Sequence, residues 1–121
     1  MLIALWIVNA LLALAFLGAG VMKLARPKEA LAAGGMEYVE DFAPATIKVI
    51  GALELLGALG LILPLATGIA PILAPIAAVG LALTMAGAIV VHVRRRENTV
   101  AAVVLGVLSA ASAALGFIVL L

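Results

Sequence analysis

Four long apolar runs divide the chain, and nearly all its charged residues fall between them. The first runs from Leu2 to about Ala25 and stops at Arg26-Pro27, because the residue before a proline resists helix. The second extends over about 45–63 and stops at Pro64. The third begins between Pro71, a residue suited to a first helical turn, and Pro75, and reaches about Val93. The fourth covers about 99–121. Each run has about 19–24 residues, enough to cross a hydrocarbon core of about 30 Å as helix. None alternates as the strands of a membrane β-barrel would. The pattern predicts an all-α membrane protein: one transmembrane domain over residues 1–121, folded as an antiparallel four-transmembrane-helix bundle.

Composition agrees. The chain has 121 residues, 68% of them apolar and 11% charged, against about 45–50% and 25% in ordinary soluble domains. A globule this small cannot hide so much apolar surface, so the lipid bilayer is its expected solvent. The first run has no positive flank before it and exceeds the apolar stretch of a signal peptide, so it reads as a retained helix.

The connections differ in kind. Loop one, Arg26 to Pro44, carries most of the acidic residues, and its PKEALAA stretch predicts a short helical turn before Gly34-Gly35. Tyr38, Glu40 and Asp41 within YVEDF are expected to cap the second membrane helix or lie in solvent, with the lip of a site as the alternative. Loop two, Pro64 to about Ala70, is uncharged; loop three is Arg94-Arg95-Arg96-Glu97-Asn98. All seven Lys and Arg gather at or near one membrane face. By the positive-inside rule that face is cytoplasmic, so both termini point away from the cytoplasm. The Arg triplet reads as a topology signal.

Small residues mark faces expected to touch other helices: Ala77, Gly80, Thr84 and Gly87 on the third run, and Gly106, Ala110, Ala113 and Gly116 on the fourth. Ser109 and Ser112 are expected to bond carbonyls one turn back. The glycine-rich faces also permit a homodimer.

Glu54 is the anomaly. It lies about nine residues inside the second run, on the order of 13 Å from the charged face. An acidic group at that depth costs about 2.5–3.5 kcal/mol if it meets lipid, so it is expected to face the bundle. Candidate partners are Lys23, at the end of the first run on the face of Asn9 and Phe16, with snorkelling outward as its alternative, and His92, near the end of the third, with a place at the headgroups as its alternative. Lys48 lies about 120° around its helix from Glu54 and is expected to snorkel to the interface. Candidate catalytic residues are therefore Glu54, His92 and Lys23, with Lys48 and Asn9 added as candidate ligand contacts. One His and no Cys leave no intrinsic metal set and no thiolate chemistry. No nucleotide loop, catalytic triad or nucleic-acid feature is visible.

GAGVMKL, EYVEDFAPATIKVIGALELLGALGLILP and TGIAPILAPIAAVGLALTMAGAIVVHVRRRE together resemble the DoxX-like family of small bacterial four-helix membrane proteins. The most specific parts are Gly20 to Lys23, Ile50 to Glu54 and Gly87 to Arg95. The resemblance implies a four-helix bundle and matches Lys23, Lys48, Glu54 and His92. Members of the family are associated with thiosulfate:quinone oxidoreductase and with a redox-stress membrane complex. The chain has no cofactor motif, so a redox role implies a partner protein that carries the electrons.

Three functions are expected from these residues. The first is a membrane subunit binding a quinone-like or isoprenoid-like molecule at Glu54, alone or in an oxidoreductase complex. The second is an intramembrane acid–base enzyme, an isomerase or cyclase, using Glu54 with His92 or Lys23. The third is proton-coupled transport of a small molecule by a dimer.

Overall fold

The computed structural model describes every residue, Met1 to Leu121. Five α-helices follow in order: α1 (Leu2–Ala25), α2 (Lys28–Ala33), α3 (Pro44–Thr67), α4 (Leu73–Arg94) and α5 (Val100–Leu120). A 3-10 turn, Glu37–Asp41, lies between α2 and α3. α1, α3, α4 and α5 are each long and apolar enough to cross a membrane. The chain is a multi-pass membrane protein with the four-helix architecture its apolar runs predict.

Local chemistry sets the helix ends. Arg26 before Pro27 is extended and closes α1. Pro44 opens α3 at its first turn, where its missing N–H costs nothing. Gly68 closes α3 in the left-handed region at φ 72°. The six-residue α2 ends at Gly34, as the PKEALAA reading predicts. One boundary differs from the sequence expectation. α3 does not stop at Pro64 but runs through it to Thr67, with Pro64 buried. Within lipid, breaking the helix would strand more backbone groups than the single bond a proline removes. α4 starts at Leu73, because Pro71 sits in a preceding turn whose carbonyl accepts the Ala74 N–H.

The four long helices pack in a ring: α1 against α3, α3 against α4, α4 against α5, and α5 back against α1. Leu12 and Phe16 of α1, Ala58 and Leu61 of α3, Ala78, Leu81 and Met85 of α4, and Ala102 and Ala113 of α5 form the central core. Only 24 of 121 residues are buried, while leucines such as Leu14, Leu56 and Leu83 stand outward. That inside-out distribution suits acyl chains as the surrounding solvent.

Gly20 and Gly51 bring α1 and α3 together. A Cβ on Gly20 would lie 2.8 Å from the Gly51 carbonyl oxygen and 2.9 Å from the Leu55 nitrogen. Close backbone approach of this kind replaces the hydrophobic drive that lipid removes. Leu31 and Val39 of loop one pack with Ile47 of α3 in a small separate cluster over the helix ends, with Met22, Met36 and Phe42 against it.

The small-residue stripes divide. Gly116 seats Pro75, and Gly106 lies against Met85, so α5 packs on α4 through that face. On α4 the expectation fails for the glycines: a Cβ on Gly80 or Gly87 would meet no atom within 4 Å. Those positions border open space instead of a neighbouring helix.

Candidate functional site

Glu54 lies ten residues into α3, about 15 Å along its axis from Pro44. Gly51 lies one turn before it, which lets α1 approach closely enough for Lys23 to reach across. The Lys23 ammonium donates to Glu54 Oε1 at 2.6 Å. Glu54 is 2% exposed and Lys23 4%. Each charge is thereby neutralised by a hydrogen-bonded partner, the condition for holding either one below the interface.

The pair is not saturated. Glu54 Oε2 has no hydrogen-bond partner in the protein, and beyond Glu54 the Lys23 ammonium has only the Tyr38 side chain beside it. No fully enclosed side-chain polar atom in the molecule lacks a partner, so Oε2 borders accessible space. That space is a cavity of about 320 Å³ between α3 and α4, with Glu54, Lys23 and Tyr38 at one end. Leu53, Met85 and Ala88 supply apolar walls. It opens sideways between two membrane-spanning helices.

Tyr38 forms the lip. Its ring centre lies 5.8 Å from the Lys23 nitrogen, within cation–π range. It also meets Phe42 and His92 edge-on, at 6.4 and 5.2 Å between ring centres. Tyr38 borders a second, polar cavity as well, lined by Glu37, His92, Glu97 and Asn98 at the charged face. One ring thus separates the membrane crevice from the loop side.

The sequence candidates part company here. Glu54 faces the bundle as the depth argument requires, and of the two orientations open to Lys23 the structure shows the one that meets it. His92 does not donate to Glu54: its Nδ1 donates to Glu97 Oε1 at 2.9 Å. The last turn of α4 carries it past the membrane crevice, and the chain folds back so that the Glu97 N–H also bonds the His92 carbonyl. Lys48 reaches the interface but does not end in water. Its ammonium donates to the carbonyls of Lys23, Leu24 and Arg26 at 2.8, 3.0 and 2.8 Å. These are carbonyls that the end of α1 leaves unpaired, and the cation suits the negative end of that helix. Asn9 sits apart from the crevice in the other half of the bundle. Its Nδ2 donates to the Leu61 carbonyl at 2.9 Å, and it accepts from Ser112 Oγ at 2.5 Å. Ser112 therefore reaches across to α1 instead of bonding one turn back; Ser109 does bond back, to Leu105.

With that geometry in hand, the comparison with known families is direct. The pattern of the DoxX-like family matches residues 7–117. The chain belongs to the DoxX-like family. No curated protein and no solved structure matches it.

In this DoxX-like chain the Arg triplet holds one working residue. Arg95 clasps Glu97 through Nε at 3.1 Å, Asp41 through Nη1 at 2.9 Å and Glu40 through Nη2 at 3.2 Å. Glu40 and Asp41 accordingly tie loop one to loop three and do not cap α3. The Glu97 and Asp41 carboxylates hold the Arg95 guanidinium above its ordinary value. The hydrogen bond from His92, reinforced by Arg95, holds Glu97 below the usual carboxylate range. The sequence gives no reason to choose Arg95 over Arg94 or Arg96. Only the left-handed backbone at Arg96, φ 56°, marks where the chain turns to present it.

Proposed function

We propose that the crevice between α3 and α4 binds a small lipophilic molecule of quinone-like or isoprenoid-like character, with the Glu54–Lys23 pair as its polar anchor. The observation that carries this reading is the free carboxylate oxygen of a nearly enclosed ion pair, set in an apolar crevice. A ligand supplying one donor completes the carboxylate without separating the charges. Lateral opening lets a lipophilic molecule arrive from the bilayer without crossing water.

Membership in the DoxX-like family supports placing such a ligand in a redox setting, with this chain as the membrane subunit beside a partner that carries the electrons. The charged loops face the bacterial cytoplasm and both termini face away from it in this reading, because the basic residues gather at one end of the bundle. An acid–base enzyme is less well supported, since His92 is engaged by Glu97 and Lys23 alone remains beside Glu54.

The test is a panel of quinones, quinols and prenols added to detergent-purified protein and followed by native mass spectrometry. Wild type is expected to retain at least one of them, and the double variant Lys23→Met with Glu54→Leu to lose it at least tenfold. Equal retention by both proteins would remove the ion pair from the site.

A further inference from the structure

The crevice at Glu54 continues along the bundle. A second cavity of about 330 Å³ lies between the same two helices, lined by Leu56, Gly57, Ala77, Gly80 and Leu81 among others. Leu53 and Thr84 border both cavities, so the two adjoin along the seam between α3 and α4. The groove along that seam has its polar groups at one end only. Besides the Tyr38 phenol, the one hydroxyl in its lining is that of Thr84, which donates to the Gly80 carbonyl at 2.9 Å and is satisfied within α4.

The α4 wall is built from absent side chains. Gly80 and Gly87 border this groove, and a Cβ at either would touch nothing within 4 Å. Opposite, Gly57 does the reverse: a Cβ there would lie 2.6 Å from Leu81, so that contact closes the groove floor. From Gly87 to Ala77 is ten residues, about 15 Å of helix, the reach of roughly a dozen extended chain carbons.

We propose that this groove takes a single-chain amphiphile: a small neutral head bearing a hydroxyl or carbonyl at Glu54–Lys23, and a prenyl or alkyl tail along the Gly87–Ala77 face. The inference rests on the ligand reading above and adds the tail and the charge of the head. The head is neutral because the pair that meets it already cancels its own charge. A charged head would bring an unpaired ion to that depth, which the low dielectric penalises heavily. Phospholipid is unsuited for the same reason, since its headgroup stays at the interface while Glu54 lies about 15 Å along α3 from its charged end. A single groove with its polar anchor at one end matches one chain and one head.

The probe is farnesol carrying a photoreactive diazirine at the tail end, used on the full chain in lipid nanodiscs, with labelled peptides mapped by mass spectrometry. Saturable labelling is expected between residues 56 and 60 and between 77 and 81. Gly80→Leu is expected to reduce it at least tenfold and Gly80→Ala to reduce it partially. Neither substitution meets a neighbouring helix at its Cβ, so folding is expected to survive. Unlabelled farnesol is expected to compete at least tenfold better than its five-carbon counterpart.

Saturable labelling that ignores Gly80→Leu, or equal competition by the short alcohol, overturns the tail and leaves the polar anchor standing. Labelling confined to the apolar crevice on the outer side of α1 and α3, near Leu14 and Ile62, likewise overturns it. A dimer that Gly80→Leu splits into monomers, seen by light scattering, would make the groove a seam between copies and end the proposal. Wild type that shows no saturable labelling, unchanged by Glu54→Gln, removes the ligand reading as well.

Discussion

The ammonium of Lys23 and a carboxylate oxygen of Glu54 meet at 2.6 Å across the α1–α3 seam, with both residues almost entirely enclosed. Neither charge is tolerable alone at that position. Removing one partner leaves an unpaired buried ion, a loss of about 3–5 kcal/mol, whereas replacing both with apolar residues is often close to neutral. Lys23→Met is therefore expected to be strongly destabilised in reversible SDS unfolding. The double variant with Glu54→Leu should recover most of the loss. Two single effects that simply add would mean the pair is not coupled.

Lys48 presents a different case, because its three acceptors are all backbone carbonyls at the end of α1. Lys48→Met should cost about 1–3 kcal/mol, in the range of hydrogen bonds to a charged group. Its signature is local: faster amide exchange near Ala25 and Arg26, with the Glu54 crevice undisturbed. Exchange unchanged at that helix end would contradict the capping role.

Two glycine positions separate packing from open space. Gly20→Ala drives a Cβ into the α3 backbone and is expected to lose about 1–3 kcal/mol, as overpacked sites do. Gly80→Ala meets nothing and should be neutral or slightly stabilising as a helix former. Comparing the two unfolding curves checks this, and equal losses would mean that the groove beside Gly80 is closed.

The architecture was legible because lipid enforces it: long uninterrupted apolar runs, Pro and Gly at their ends, and charge gathered on one side leave few alternatives. The inward turn of Glu54 was legible too, through depth, but its pairing with Lys23 was not, because a lysine at a helix end can equally snorkel to the interface. Other features depend on where the chain turns. Nothing local shows that His92 passes the crevice, that Arg95 is the clasp in Arg94-Arg95-Arg96, or that Tyr38 folds back over Lys23. The stripe of Ala77, Gly80, Thr84 and Gly87 was visible, but small residues suit both a tight helix contact and an open groove. Only the position of α3 distinguishes them.

The clasp between loops one and three should respond to acid. Glu97 is held below its ordinary value of 4.5 by the hydrogen bond from His92 and then by Arg95. A carboxylate with a lowered folded value stabilises fully above the unfolded value, and that contribution disappears as pH falls through the folded one. Amide protection factors for residues 36–42 and 94–98 should hold above about pH 4.5 and fall progressively below it. Glu97→Gln should show the loosened pattern at every pH. Protection in the wild type that is flat through this range would exclude the clasp as a titrating link.

The role of Glu54 as polar anchor is tested most directly by its own vibrational spectrum. Infrared difference spectra of protein carrying isotope-labelled glutamate, recorded with and without a neutral prenol or quinol, isolate the Glu54 carboxylate band by subtraction of Glu54→Gln. The expected result is a shift of that band on ligand addition, in step with saturation, as the free Oε2 gains a donor. A ligand that binds stoichiometrically while the Glu54 band stays where it was would contradict the account.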